Sequence, residues 1–271
     1  MKKSLYLLIS GVLFLIGCKT NPPTSPISLK TGEVQLEITV TENNSASTSR
    51  TVLLEDFANV SCVPCVTSNK IIRSVLNSYG SSKVVSVKFP TNFPSPVDPF
   101  YLAGKEFCDF RMTYYNIIFA PTIILDGITR PTPSDSLAVK SSLDSRLAQT
   151  SNFQINVTKT INNGGILLNV DINVKDKSSL DLSDLFLKIA FVESEIEFNS
   201  PPGSNGETKF YDVLRTLLPD NNGIPFSALN ASNSMHYPEV IDTMWNLNKL
   251  EAIIFIQKAS NKEIYQTGST F

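Results

Sequence analysis

Histidine and positive charge are both scarce in this sequence. Its 271 residues include a single histidine, His236, and 23 lysines and arginines against 25 aspartates and glutamates. The formal net charge of −2 leaves no basic excess to neutralise phosphates, which argues against nucleic acid as a partner. One histidine also excludes a histidine-rich zinc site, and a Ser-His-Asp triad would have to use His236.

The common nucleotide-binding loops are missing as well. The sequence contains neither GxGxxG nor GxxxxGK followed by serine or threonine. What is present is a chain with 42% hydrophobic and 18% charged residues, which can bury a core and is not disordered as a whole. Its length leaves room for two ordinary domains or one large one.

The first residues have the pattern of a secretory signal. A basic MKK precedes a nearly continuous apolar run over 5–16, which is too short to cross a bilayer as a stable helix. The run ends in LIGC and resembles the bacterial lipobox, in which the chain is cleaved before a cysteine that carries a diacylglycerol. The resemblance implies a signal peptide over 1–17 and a lipid on Cys18, with acyl chains such as palmitate as the membrane anchor. An ordinary signal peptide with an incidental Cys18 is the alternative.

The residue after this cysteine bears on location. Lys19 follows Cys18, and by resemblance to the usual sorting rule it favours the outer membrane of a bacterial cell envelope. Residues 18–32 are rich in proline, serine and threonine, so we interpret them as the lipidated cysteine and a flexible tether.

Beyond the tether the chain divides into two halves. Over 33–150, short apolar strands alternate with helical patterns, which indicates a sheet with a parallel portion and helices on its faces. Over 151–271 helical patterns nearly stop, and short strands with frequent turns predict an all-β, immunoglobulin-like sandwich. Only 208–218 breaks that pattern, as a helix or an irregular strand. In the first half, strands are expected at 33–40, 51–57, 83–89 and 121–127, and helices at 62–80, 100–116 and 134–149.

The motif that carries chemistry is CVPC, Cys62 to Cys65. Two cysteines three positions apart at the start of a helix lie one turn apart on the same face, so they can close into a disulfide or open to a dithiol. The helix N-terminus favours a thiolate on Cys62, and a thiolate is the species that attacks another disulfide. A zinc site would need a second cysteine or histidine pair, which the sequence lacks. The spacing predicts a redox-active disulfide, and a structural disulfide is the alternative.

The surroundings of this motif resemble the thioredoxin superfamily over 51–150. The Cys-x-Pro-Cys sequence follows a hydrophobic strand, Asp56 stands six positions before Cys62, and Ala120-Pro121-Thr122 looks like the cis-proline loop of that superfamily. The resemblance implies an α/β thioredoxin-like domain over 33–150, with a central mixed sheet flanked by helices.

The same resemblance implies roles for individual residues. Cys62 would attack and Cys65 would resolve the mixed disulfide, with Asp56 relaying protons to Cys65 if it is buried. A cis bond at Pro121 would expose the Ala120 backbone to an extended peptide substrate. The third cysteine of the folded part, Cys108, stands among aromatic residues and is expected to be buried and inert rather than a resolving thiol.

Most of 50–271 resembles a narrower family. This family comprises outer-membrane lipoproteins of Gram-negative bacteria that join a thioredoxin-like domain to a C-terminal β-sandwich. The sequence segments on which the resemblance rests are LLEDFANVSCVPC, FAPTIILDG, FYDVLRTLLP and WNLNKLEAIIFIQKASNKEIYQT.

Two functions of different classes follow. The first is a thiol-disulfide oxidoreductase, tethered to the membrane through the lipid on Cys18 and acting on thiols or disulfides of envelope proteins, with no organic cofactor or metal. The second is a redox-inactive binding or structural lipoprotein that uses the sandwich, because a fold alone does not dictate function.

Overall fold

The computed structural model describes residues 29–47 and 49–271, so the predicted signal peptide, Cys18 and most of the tether lie outside the described residues. The fold is mixed α/β and consists mostly of sheet. Within the part of the chain that the structure describes, no helix is long and apolar enough to cross a membrane.

In the first half, strands and helices alternate as the sequence predicts. The elements are β1 (Val34–Glu42), β2 (Val52–Ala58), α1 (Val63–Tyr79), β3 (Val84–Pro90), α2 (Pro99–Ala103), α3 (Lys105–Tyr115), β4 (Thr122–Leu125) and α4 (Ser136–Leu147). One expectation is wrong in detail, because the helix predicted over 100–116 is interrupted at Gly104. The Asp98 carboxylate caps the short first piece by accepting from two of its backbone N–H groups.

The second half consists of strands and isolated helical turns. Its strands are β5 (Phe153–Asn162), β6 (Gly165–Val174), β7 (Leu185–Glu193), β8 (Ile196–Glu197), β9 (Lys209–Phe210), β10 (Val213–Leu218), β11 (Ile224–Pro225), β12 (Ser232–Tyr237), β13 (Leu250–Lys258) and β14 (Ile264–Ser269). The ambiguous segment 208–218 is therefore extended, with a register irregularity between Leu214 and Thr216 where β10 pairs with β7.

The sheets do not follow the predicted boundary at residue 150. The strand expected at 33–40 within the first domain is β1, which pairs in parallel with β6 and antiparallel with β12 in a four-stranded sheet ordered β12-β1-β6-β5. Its alternating buried residues face a core shared with second-half strands, and this shared core explains the pairing.

A larger sheet joins the two halves. Its order is β14-β13-β7-β10-β3-β2-β4, with β11 paired to β7. Strands β2 and β3 are parallel, as the alternating pattern predicts, while β4 is antiparallel to β2. The link between the halves is the parallel contact of β10 with β3, in which Val213 lies opposite Lys88.

Side chains from the two sheets form the largest core. Leu36 and Ile38 of β1 share it with Ile189 of β7 and Ile254 of β13. The opposite faces of β7 and β13 are also buried, because they pack against α3. Since both faces of each strand are buried, the sequences of the two strands are almost continuously apolar.

The two faces of β2 bury different helices. Val52 and Leu54 pack with residues of α1 and α4, while Leu53 and Phe57 pack with residues of α3. Asp56 has the same parity as Leu54, so strand geometry directs it to the α1 side.

Arg111 of α3 forms a buried ion pair with the first half of the chain and a hydrogen bond with the second half. Arg111 Nε donates to Glu55 Oε1 of β2 at 2.6 Å, and its Nη1 donates to Gln257 Oε1 of β13 at 3.0 Å. Tyr115 Oη donates to the second Glu55 oxygen at 2.6 Å. Every charged atom of the cluster is thereby paired away from water, which is the condition under which buried charges are tolerated.

Removal of this arginine should destabilise the whole fold. Arg111→Leu leaves the buried Glu55 carboxylate unpaired and is expected to lower the free energy of unfolding by about 3–5 kcal/mol, measured by urea denaturation. Adding Glu55→Gln should recover part of the loss. Lys105→Ala, which breaks an exposed pair with Asp109, is the matched control and should change little. A loss below about 1 kcal/mol for Arg111→Leu would contradict the assignment.

Candidate functional site

The Cys62–Cys65 pair is closed as a disulfide at the start of α1. Cys62 is the N-cap, and its Sγ accepts a hydrogen bond from the backbone N–H of Cys65 at 3.2 Å. Pro64 occupies the first turn, where a missing N–H costs nothing. Once the disulfide opens, the same amide and the helix dipole favour the thiolate of Cys62.

The disulfide is buried beside the proline loop. Cys62 is 2% exposed and Cys65 is 0% exposed, and both pack with Ala58 and Ala120. The Ala120–Pro121 peptide bond is cis, as the resemblance predicts. The structure thus brings together three of the predicted positions, Cys62, Cys65 and the proline loop.

Exposed apolar side chains adjoin this cluster in the chain. Val63, directly after Cys62, is 67% exposed, and Ile118 and Phe119, directly before Ala120, are 73% and 62% exposed. Large apolar groups exposed to water are typical of a surface that contacts another molecule.

Asp56 is buried, which meets the condition that the sequence analysis left open. Its side chain is 3% exposed and forms an ion pair with Lys88, its neighbour across the β2–β3 register. Only Oδ2 takes part in that pair. Asp56 Oδ1 has no hydrogen-bond partner within residues 29–47 and 49–271. Most buried polar atoms in folded proteins are paired, so this oxygen is an exception among the described residues.

A polar chain leads from this ion pair toward the surface. Lys88 Nζ donates to Asn69 Oδ1 of α1 at 2.8 Å. Asn69 Nδ2 in turn donates to both carboxylate oxygens of Glu207, at 3.0 and 2.9 Å. Glu207 is half-buried and belongs to the second half of the chain. Asp56 is therefore linked, through Lys88 and Asn69, to a residue outside the predicted first domain.

Residues 203–207, here termed the covering loop, also contact the turn before Cys62. Asn205 N–H donates to the Val60 carbonyl at 3.1 Å, and Ser204 N–H donates to Ser61 Oγ at 3.2 Å. A Cβ on Gly203 would lie 2.4 Å from the Val60 oxygen, so only glycine allows this close approach.

Asp98 also contacts the turn before Cys62, through hydrogen bonds from the backbone. Its carboxylate accepts from the Val60 N–H at 2.8 Å and from the Phe100 N–H at 2.8 Å. Burial raises the pKa of Asp98, and the backbone hydrogen bonds act in the opposite direction. The approach to Cys62 is thus fixed between the start of α2 and the covering loop.

Sequence reasoning missed four residues of this arrangement: Asn69, Lys88, Asp98 and Glu207. A lysine inside the buried strand VVSVKFP, and an aspartate directly before Pro99, are signals that pointed to two of them. Asn69 and Glu207 gave no local signal, because their roles depend on a contact between distant segments.

The remaining candidates lie apart from this arrangement. Cys108 is fully buried, and burial raises the pKa of its thiol, which agrees with the expected inert role. His236 lies on β12, with its Nε2 3.5 Å from Glu33 Oε2. Among the described residues, no group of three histidine, cysteine or acidic side chains is placed to hold a metal ion.

Comparisons with known proteins bear on the fold alone. No protein-family model matches the sequence, and no curated protein matches it. The structure is similar to HBP35 of Porphyromonas gingivalis, with a TM-score of 0.68 and 15% identity over 83% of this chain and 76% of that chain. It is also similar to protein AGR_C_4864 from Agrobacterium tumefaciens, with a TM-score of 0.55 and 14% identity over 83% of this chain and 95% of that chain.

Proposed function

We propose that this protein is a lipid-anchored bacterial envelope protein that exchanges disulfides with envelope proteins through Cys62 and Cys65. The observation that carries the proposal is the Cys62–Cys65 disulfide, closed at the N-terminus of α1 and packed against the Ala120–Pro121 loop. A thiolate that is stabilised by helix amides can attack or leave a disulfide at neutral pH.

The exchange proceeds in two steps. In the reducing direction, the Cys62 thiolate attacks one sulfur of a substrate disulfide and expels the other as a thiolate. Cys65 then loses its proton and attacks Cys62, which closes the Cys62–Cys65 bond and releases the second substrate sulfur as a thiolate. The protein loses two electrons and the substrate gains them. The oxidising direction is the reverse, and a redox partner in the envelope sets which direction dominates.

In this proposal Asp56 and Pro121 assist the cysteine pair. Asp56, with its unpartnered Oδ1, accepts the Cys65 proton. The backbone at Ala120 pairs with an extended substrate segment, while the exposed rings and branches of Phe119 and Ile118 hold its apolar side chains. The chemistry fits an extended, partly apolar peptide that contains cysteine.

For the finer fold class we propose a thioredoxin-like arrangement over 51–150 and a sandwich for most of the remainder. The β3-β2-β4 order, with α1 and α4 on one face and α3 on the other, supports the first. The shared core between the four-stranded sheet and the β7–β13 face supports the second.

Burial of the disulfide favours a second candidate function. A disulfide with so little exposure also fits a structural cross-link that stabilises the turn before α1. The protein would then be a lipoprotein that acts through its β-rich half. The two candidates differ in the reduction potential of the pair and in the reactivity of Cys62.

A redox titration distinguishes the two candidates. Equilibrated with glutathione ratios and trapped for mass measurement, the Cys108→Ala protein should show a midpoint between about −270 and −120 mV, the range of exchange proteins. Cys65→Ser should then accumulate a mixed disulfide at Cys62, whereas Cys62→Ser should accumulate none. A midpoint below about −300 mV would identify a structural disulfide instead.

The exposed apolar side chains of Val63, Ile118 and Phe119, here termed the rim, should govern affinity for peptide substrates. Phe119→Ser is expected to raise KM for a cysteine-peptide disulfide about tenfold, because a buried ring contributes somewhat over 1.4 kcal/mol to binding. Leu137→Ser, at another strongly exposed apolar position, on α4, is the matched control and should leave KM unchanged. Equal effects of the two substitutions would contradict a role for the rim.

The membrane anchor is tested at Cys18. The native chain should partition into membranes and carry the added mass of its acyl chains, whereas Cys18→Ala should stay soluble or unprocessed. Cys108→Ala is the control and should partition like the native chain. Membrane association that survives Cys18→Ala would exclude lipid on this residue as the anchor.

A further inference from the structure

A cleft of about 270 Å³ lies between α1 and the segment of the second half that leads into β10. Its lining is mostly apolar and includes Ile72 and Leu76 of α1 together with Phe210 and Tyr211. Small-molecule sites in proteins usually occupy about 300–1,000 Å³ and have predominantly apolar walls. The cleft therefore suits a ligand of small size and is too small for a large cofactor.

An arginine is stacked on one of the aromatic side chains of the cleft. Arg73 of α1 is exposed and lines the cleft, and its guanidinium carbon lies 4.2 Å from the centre of the Tyr211 ring. Stacking orients the plane of a guanidinium and leaves the N–H groups at its edge free to donate. In the described parts of the chain these N–H groups have no acceptor. An oriented guanidinium with free donors matches the two oxygens of a carboxylate.

The acids that line the cleft are already engaged within the protein. Each of the three has a partner, and the pairs are Asp56 with Lys88, Asp212 with the Ser86 hydroxyl, and Glu207 with the Asn69 side-chain amide. These contacts hold the acids in place, so none of them needs a ligand to satisfy it.

The cations of the cleft differ from the acids in this respect. Lys209 forms an exposed ion pair with Glu197 at 3.1 Å. Lys70 and Arg73, which lie three positions apart on α1 and are both exposed, have no ion-pair or hydrogen-bond partner among the described residues. The charged side chains that remain available to a ligand are therefore positive.

Burial sets the orientation of a ligand in this cleft. Ser86 and Asp212 are buried, whereas Lys70 and Arg73 are exposed. An anionic group is best placed at the exposed end, where it meets both cations and keeps part of its hydration. The apolar part of the same ligand then lies against the apolar lining and is removed from water.

We propose that this cleft binds a small monocarboxylate with an apolar body, such as an arylalkanoic acid, whose carboxylate accepts hydrogen bonds from Arg73 and Lys70. Inorganic phosphate would meet the same cations but would leave the apolar lining uncovered. The inference is independent of the exchange activity, because binding in the cleft uses neither Cys62 nor Cys65.

Three probes test the two parts of the cleft separately. They are 3-phenylpropionate, its neutral analogue 3-phenylpropionamide, and acetate, each titrated into the full chain while backbone amide signals are followed by NMR. The aryl acid should bind at least about tenfold more tightly than the amide, because it alone offers two anionic oxygens to the cations. It should exceed acetate by a similar factor, because acetate leaves the apolar lining unfilled.

The signals that move identify the site. Binding in the cleft should shift the amides of Leu76 and Tyr211. Shifts confined to the rim around Phe119, equal affinities for the acid and the amide, or equal affinities for the acid and acetate would each overturn the proposal. So would an absence of shifts with 3-phenylpropionate.

Substitution of the arginine tests the carboxylate contact. Arg73→Gln alters an exposed side chain without a hydrogen-bond partner among the described residues, so the fold should be retained. It should raise Kd for 3-phenylpropionate about tenfold and leave Kd for the amide unchanged. Arg73→Lys should restore part of the affinity, because it keeps the charge but not the planar donor geometry.

Lys140→Gln is the matched control. Lys140 is an exposed cation on α4 whose Nζ lies 5.3 Å from the centre of the Tyr79 ring, so it also stacks on a tyrosine but does not line the cleft. It should leave Kd for both probes unchanged. An equal loss of affinity in Arg73→Gln and Lys140→Gln, or an equal loss for the acid and the amide in Arg73→Gln, would overturn the assignment. The redox titration of Cys62 and Cys65 is unaffected by these results, so the two proposals fail separately.

Discussion

The pairing of β10 with β3 is the contact on which the candidate site depends. It sets Asp212 against Lys88 through a backbone hydrogen bond of 2.8 Å and fixes the chain just before it, including the covering loop. From there Asn205 reaches the turn that precedes Cys62. Because β10 also pairs with β7, the position of this segment is determined by the core of the second half. The candidate site around the Cys62–Cys65 disulfide of the first half is therefore completed by the second half.

The pairing of the buried charges Asp56, Lys88 and Asp212 shows why such a site can be stable. Asp56 and Lys88 neutralise each other, and Asp212 is compensated by Ser86 and by the positive charge of Arg73 above it. Buried charges of this kind are tolerated when they are paired and hydrogen-bonded. Among the described residues, the arrangement leaves one oxygen of Asp56 without a partner, which is a cost for stability.

The sequence predicted the parts of the site that depend on local chemistry. Cys62 and Cys65 are recognisable because a helix start after a buried strand has a short-range pattern. Asp56 and Pro121 were named because the sequence around them resembles the thioredoxin superfamily. Asp212 and Glu207 were not predictable, because their positions follow from a strand pairing between segments more than 120 residues apart. The placement of β1 failed for the same reason, since alternation shows that one face is buried but not which sheet covers it.

The boundary at residue 150 is a change of sequence pattern and not a place where the structure divides. Without β10 the edge of β3 would be open, and without β7 and β13 the α3 side of the core would lose Ala190 and Phe255. The Arg111 cluster would also lose its partner Gln257. An open strand edge, an exposed apolar face and an incompletely paired buried charge each destabilise a fragment. Since all three would arise from the same cut, the two halves should unfold together, and the site around the disulfide exists only in the joined chain.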